Sequence, residues 1–144
     1  MSTRLDIAVP DCVDDNPEGW QSNCPILAAN GALYYFYSNN NNTDLYYIKS
    51  TDFGGTWTAP ILVQAEVFLV FSTWYDRWTV ATSGDLIHIA CFGQTGDDVF
   101  YYNLDTSTDT LSSQVIVFNG ISAAVGSNTS LSITKAMKGR VMKV

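Results

Sequence analysis

Five consecutive residues, Trp74, Tyr75, Asp76, Arg77 and Trp78, form the most ligand-like group in the chain. Aromatic faces stack on the apolar faces of sugars, and a carboxylate and a guanidinium between them can bond hydroxyls. The competing use of such rings is packing between adjacent sheets. Asp76 beside Arg77 reads either as an acid with its charge partner or as a surface ion pair. Glu66 and Tyr75 can be drawn as a nucleophile pair, yet nothing in their spacing selects them. His88 sits among Leu86, Ile87 and Ile89 with no second histidine to share a metal, so it reads as a strand histidine. Cys12, Cys24 and Cys91 are odd in number and lack a CxxC spacing, which argues against a zinc site. A Cys12–Cys24 disulfide would need an oxidising compartment; otherwise these are buried thiols. No cofactor or metal is expected.

The elements that must position these groups repeat. Cys24 to Tyr37 aligns with Arg77 to Ala90, each a short strand, a glycine turn and a second strand, with Gly31 and Gly84 at the turns. A third partial copy, Ser132 to Val144, places Gly139 at the same point. Downstream, Asp44 to Ser50 aligns with Val99 to Asp105, matching Tyr46 with Tyr101. Each is followed by a polar turn and an apolar strand, Trp57 to Val63 in the first copy and Gln114 to Phe118 in the second. Polar tips at Asn39 to Asn42 and Gly93 to Asp98 complete the hairpins. One unit is therefore four short antiparallel strands in about 54 residues, the pattern of a propeller blade. The expected fold is all-β, with about two and a half such blades. Residues 1–23 form an N-terminal strand or extension and 24–144 the blades, at about 24–72, 76–120 and, in part, 130–144.

Between the third and fourth strands of the first unit the chain reads Ser50-Thr51-Asp52-Phe53-Gly54-Gly55-Thr56-Trp57, which fits S-x-D-x-G-x-T-W throughout. A short acidic side chain can accept backbone N–H bonds inside a tight turn, glycine can take a positive φ there, and Trp57 can bury a ring as the next strand begins. This motif, placed where the repeat requires a turn, resembles the Asp-box (BNR-repeat) family of sialidase-like β-propellers. The likeness covers residues 24 to 144. It implies that Ser50, Asp52, Gly54, Thr56 and Trp57 are fold elements on the rim away from the ligand face. The second unit departs from the motif: Asp105 to Ser112 keeps acidic and hydroxyl groups but loses the glycines and the tryptophan.

Sialidases of that family clamp a carboxylate with three arginines and use a Tyr–Glu nucleophile and an Asp acid/base. The whole chain has three arginines, Arg4, Arg77 and Arg140, and two glutamates, Glu18 and Glu66. The family's Arg-Ile-Pro motif is replaced by Asn23-Cys24-Pro25, and Arg77 is one residue out of register in the second unit. The resemblance therefore favours no catalytic residues in this chain. The leading reading is a non-catalytic propeller-type recognition or structural module that binds glycan or protein, with Trp74 to Trp78 as the candidate ligand residues. The alternative is a fragment of a sialidase-like glycoside hydrolase.

The net charge of −7 makes nucleic acid an unfavourable partner. No acid follows Asp109, whereas Lys135, Lys138, Arg140 and Lys143 do, a basic end that reads as a solvated edge or a partner patch. The longest apolar runs, Val67 to Phe71 and Val115 to Phe118, fall far short of the roughly 20 residues of a membrane-spanning helix. The N-terminus lacks the apolar core of a secretory signal. Because propellers close with about four to eight blades, the chain is expected either to be a piece of a longer one or to assemble as a homo-oligomer or within a larger assembly. In an assembly, Arg4 to Val9 would complete a blade. The Asn/Ser/Thr/Gly-rich loops suit a virus particle or an extracellular, cell-surface assembly.

Overall fold

The computed structural model describes residues 25–38, 44–65, 78–92 and 98–119. Among them the protein is all-β, with nine strands and no helix. The first sheet contains β1 (Ile26–Leu27), β2 (Leu33–Ser38), β3 (Leu45–Ser50) and β4 (Ile61–Gln64). The second contains β5 (Trp78–Ser83), β6 (Leu86–Phe92), β7 (Val99–Asp105), β8 (Thr110–Leu111) and β9 (Val115–Phe118). Every pairing is antiparallel and joins neighbours in sequence, except that β8 and β9 both pair with β7. Neither sheet closes on itself. The N-terminal extension 1–23, the partial unit 130–144, and the hairpin tips at 39–43 and 93–97 lie outside the described residues.

Composition explains the strands. Runs such as Leu33-Tyr-Tyr-Phe-Tyr-Ser38 and Leu86-Ile-His-Ile-Ala-Cys-Phe92 are aromatic, β-branched or apolar, and such residues fill a pleated surface on both sides. The two glycine turns differ. Gly31 has φ +81° in a longer turn closed by Ala28 N–H to the Ala32 carbonyl at 2.9 Å. Gly84 has φ +62° in a two-residue turn between the paired Ser83 and Leu86. A Cβ at either glycine would meet nothing within 4 Å, so conformation rather than space favours glycine there.

The fourth strand of the first sheet starts later than the sequence reading has it, whereas β9 lies within one residue of the expected Gln114 to Phe118. β4 begins at Ile61, not Trp57, because Thr58 turns back to bond Lys49. In the second sheet the fourth position is filled by two segments, β8 and β9, on one edge of β7.

The register of the repeat also shifts by one residue. Tyr46 pairs with Leu62 and Tyr47 with Ile61, beside a bulge at Leu45/Tyr46. Phe100 pairs with Ile116 and Tyr101 with Val115, beside a bulge at Val99/Phe100. The counterpart of Tyr101 is thus Tyr47, 54 residues earlier, rather than Tyr46. Sequence matching slips here because each of Tyr46 and Tyr47 can be laid on Tyr101.

The two sheets pack face to face. Tyr34, Phe36, Leu45 and Tyr47 of the first share one buried cluster with Trp78, Ile87, Ile89, Cys91, Tyr102 and Leu104 of the second. Strand alternation fixes which face each residue occupies. Shifted by 54 residues, Tyr34, Phe36, Leu45 and Tyr47 become His88, Ala90, Val99 and Tyr101, which lie on the far face of the second sheet. The two sheets are therefore stacked facing the same way: the face the first turns toward the second is repeated on the side the second turns away.

Candidate functional site

The turn 50–58 is built around one buried hydroxyl. Ser50 is 1% exposed, and its Oγ accepts the Gly54 N–H at 2.7 Å while donating to Asp52 Oδ1 at 2.8 Å. Asp52 then accepts the Thr56 N–H on Oδ1 and the Thr56 hydroxyl on Oδ2, both at 2.8 Å. These bonds hold the Asp52 carboxyl down at about 2, the largest cause being the Thr56 N–H. Phe53 and Gly54 both take positive φ, +56° and +91°. A Cβ at Gly55 would lie 3.0 Å from Asp52 Oδ2, so the carboxylate occupies the space a side chain would need. Ser50, Asp52, Gly54 and Thr56 thus act together as one turn. Trp57 is half-buried beside them, and its Nε1 is shut from solvent without a hydrogen-bond partner.

The matching turn of the second sheet keeps part of this arrangement. Asp105 Oδ1 accepts the N–H and hydroxyl of Ser107, at 2.9 and 2.6 Å, and these bonds lower the Asp105 carboxyl. Asp109 takes φ +54° where the glycines are missing, a conformation that aspartate tolerates better than most residues. Both turns are closed by the same device, which the sequence comparison missed. Lys49 N–H bonds Thr58 Oγ1 at 3.0 Å while Thr58 N–H bonds the Lys49 carbonyl at 2.9 Å. Asn103 and Ser112 repeat this at 3.0 and 2.8 Å. The signal was a hydroxyl residue nine positions after Lys49 and Asn103, near the end of each third strand.

At the same end, polar groups join the sheets. Tyr34, wholly buried, donates its hydroxyl to Asp109 Oδ1 at 2.7 Å, and Lys49 Nζ pairs with Asp109 Oδ2. Lys49 Nζ also lies 5.8 Å from the Tyr34 ring centroid, and Asn30 Nδ2 donates to the Thr106 carbonyl at 2.6 Å. The Lys49 hydrogen bond lowers the Asp109 carboxyl, the Asp109 bond raises the Lys49 ammonium, and burial followed by Asp109 raises the Tyr34 phenol. Toward the other end, Tyr102 donates its hydroxyl to Gln64 Oε1. Chemically this arrangement is a set of latches: Lys49 and Asp109 are paired with each other, and Asp109 also holds Tyr34.

Of the predicted ligand group, Trp74, Tyr75, Asp76 and Arg77 lie outside the described residues, as does Glu66. Trp78 is buried in the cluster between the sheets, so its ring packs there. His88 is half-buried on the far face of the second sheet, Nδ1 2.6 Å from the Tyr101 hydroxyl, with ring centroids 6.0 Å apart. Tyr34 and Tyr47, its counterparts one unit earlier, are likewise 6.0 Å apart. Cys91 is a free, buried thiol pushed up to about 12 by burial.

The structure adds an aromatic row that the sequence reading did not single out. On the first sheet's face away from the second, Tyr35 stacks on Tyr37 at 6.1 Å and Tyr37 on Tyr46 at 5.9 Å. The Tyr46 hydroxyl donates to Asp44 Oδ2 at 3.3 Å. Alternation of tyrosine within Leu33–Ser38 and Leu45–Ser50 was the available signal. In the second sheet the corresponding places hold Ile89, Cys91 and Phe100, which pack against the first sheet. A scan against protein-family models finds no match for this chain, and a search of curated proteins finds none either.

Proposed function

We propose that the chain is a non-catalytic recognition or structural module of the β-propeller type, built from stacked Asp-box units, that binds glycan or protein. The observation that carries this reading is that its two sheets stack facing the same way. A two-layer sandwich turns two inner faces toward each other and leaves polar outer faces to solvent. Here the far face of the second sheet repeats the near face of the first, and its Ala90, Phe92 and Val99 are buried. Units related in this way stack onward, as propeller blades do. Two units do not close a ring, so completion by further chain or further copies, as in a virion or cell-surface assembly, belongs to the proposal.

The ligand side rests on aromatics. Trp74 to Trp78 are the candidates, aromatic rings beside a carboxylate and a guanidinium; the Tyr35, Tyr37 and Tyr46 row lies on the face that a further unit would cover. A glycan array probed with the full chain should show binding that weakens at least tenfold in Trp74→Ala. An array silent at all concentrations would leave a purely architectural role. The S-x-D-x-G-x-T-W turn also supports the second reading, a sialidase-like fragment. Release of 4-methylumbelliferone from its sialoside that disappears in Arg77→Ala would establish that reading and displace the first.

A further inference from the structure

We propose that the far face of the second sheet seats the hairpin sequence Ser132–Val144 of this same chain, taking it as the first sheet takes the second. The inference rests on the stacked-unit reading above.

Four observations converge on it. First, the seat is a copy of a seat already filled. Residues 54 positions after the near face of the first sheet form this surface, including a ring pair, His88 and Tyr101, spaced like Tyr34 and Tyr47. Second, the chain returns at the right length. Thirteen residues separate β4, ending at Gln64, from β5, beginning at Trp78; fourteen separate β9, ending at Phe118, from Ile133.

Third, the alternation fits. With Gly139 matched to Gly84, residues Ile133, Lys135, Met137, Met142 and Val144 fall at the places of Trp78, Val80, Thr82, Ile87 and Ile89. In the second sheet, Trp78, Ile87 and Ile89 are packed against the first. Four of the five places on that side of the hairpin sequence are thus apolar, the exception being Lys135 at the place of the partly buried Val80. Fourth, charge is complementary. The hairpin carries Lys135, Lys138, Arg140 and Lys143 and no acid. The second sheet presents the exposed Asp85 and the half-buried Asp105 at its turn end, much as Asp109 receives Lys49 across the existing interface.

Hydrogen exchange read by mass spectrometry on the full chain tests this. Amides of 132–144 should exchange at least a hundredfold more slowly than an unstructured segment, independent of protein concentration. Ala90→Arg, which places a charge in the middle of the seat, should abolish that protection while β2 and β3 stay protected. His88→Glu, at a half-buried position, should weaken it in the same direction if Ala90→Arg fails to fold. Free exchange of 132–144 in the unsubstituted chain overturns the proposal, and so does protection that survives both substitutions. Protection that grows with protein concentration also overturns it, because the seat would then be filled by a second copy. Since no arm reads ligand binding, failure here leaves the glycan or protein reading standing, and a silent glycan array leaves this one standing.

Discussion

Ser50 shows how much one small side chain can organise. Its hydroxyl is buried, accepts one backbone N–H and positions the carboxylate that accepts the next. Ser50→Ala removes the acceptor without removing the buried Gly54 N–H, which is the expensive way to lose a hydrogen bond. The variant should lose about 1–3 kcal/mol, measured as a lower urea midpoint at unchanged slope. A midpoint within error of the unsubstituted protein would mean that water replaces the hydroxyl. Asp52 supplies a pH signature of the same turn. Its carboxyl sits near 2 in the folded chain against an ordinary 3.8, so the charged form favours folding. That contribution is complete above the ordinary value and is lost as pH falls toward 2. Urea midpoints should therefore fall between about pH 4 and pH 2, and the slope should flatten in Asp52→Asn. An unchanged slope in the variant would assign the acid sensitivity to Asp105 and Asp109. The motif itself was legible in the sequence, since its residue types state their own bonding needs. The Tyr34–Asp109–Lys49 latch was not, because its members lie up to 75 positions apart and only the stacking of the sheets brings them together.

Among the elements, strand pairing was easier to read than strand ends. Alternating aromatic and β-branched runs marked β2, β3, β6 and β7, whereas the fourth strands depend on where a turn finishes. The hydroxyls of Thr58 and Ser112 set those finishing points by bonding back to the third strand, a tertiary choice that propensity does not encode. Beyond the second of these clamps, β9 presents Val115, Ile116, Val117 and Phe118 at 47–52% exposure on the edge of its sheet. Such an edge offers both apolar side chains and backbone groups to another chain. Val117→Lys should leave the thermal midpoint nearly unchanged, within about 0.5 kcal/mol for an exposed position, while lowering concentration-dependent association in sedimentation. Undiminished association would move the contact to another surface. The latch between sheets behaves differently. Tyr34→Phe deletes a bond from a buried hydroxyl to a carboxylate and should cost about 1–2 kcal/mol. The Lys49–Asp109 coupling, with Asp109 half exposed, should stay below about 1 kcal/mol and shrink with salt in a double-mutant cycle.

For the whole molecule, the same-way stacking of the sheets separates what sequence can say from what needs coordinates. The 54-residue unit was visible as glycine turns and tyrosine pairs, but its register was not, because neighbouring tyrosines and turns of unequal length let the alignment slip by one. A slip of one residue exchanges the faces of a strand, so only pairing partners show that the far face of the second sheet copies the near face of the first. Cys91 reports on that packing directly. It lies on the face toward the first sheet, has no solvent exposure, and its thiol is pushed up to about 12. At pH 8 its thiolate is scarce and no reagent can approach without separating the sheets. Peptide mapping after alkylation should find Cys91 unlabelled in the native protein. Its labelling rate should rise with urea in parallel with the loss of strand circular dichroism, as expected when access requires global unfolding. Rapid labelling in the absence of urea, with the strand signal intact, would show that the sheets part without unfolding. The stack would then be a hinged pair of units rather than one core.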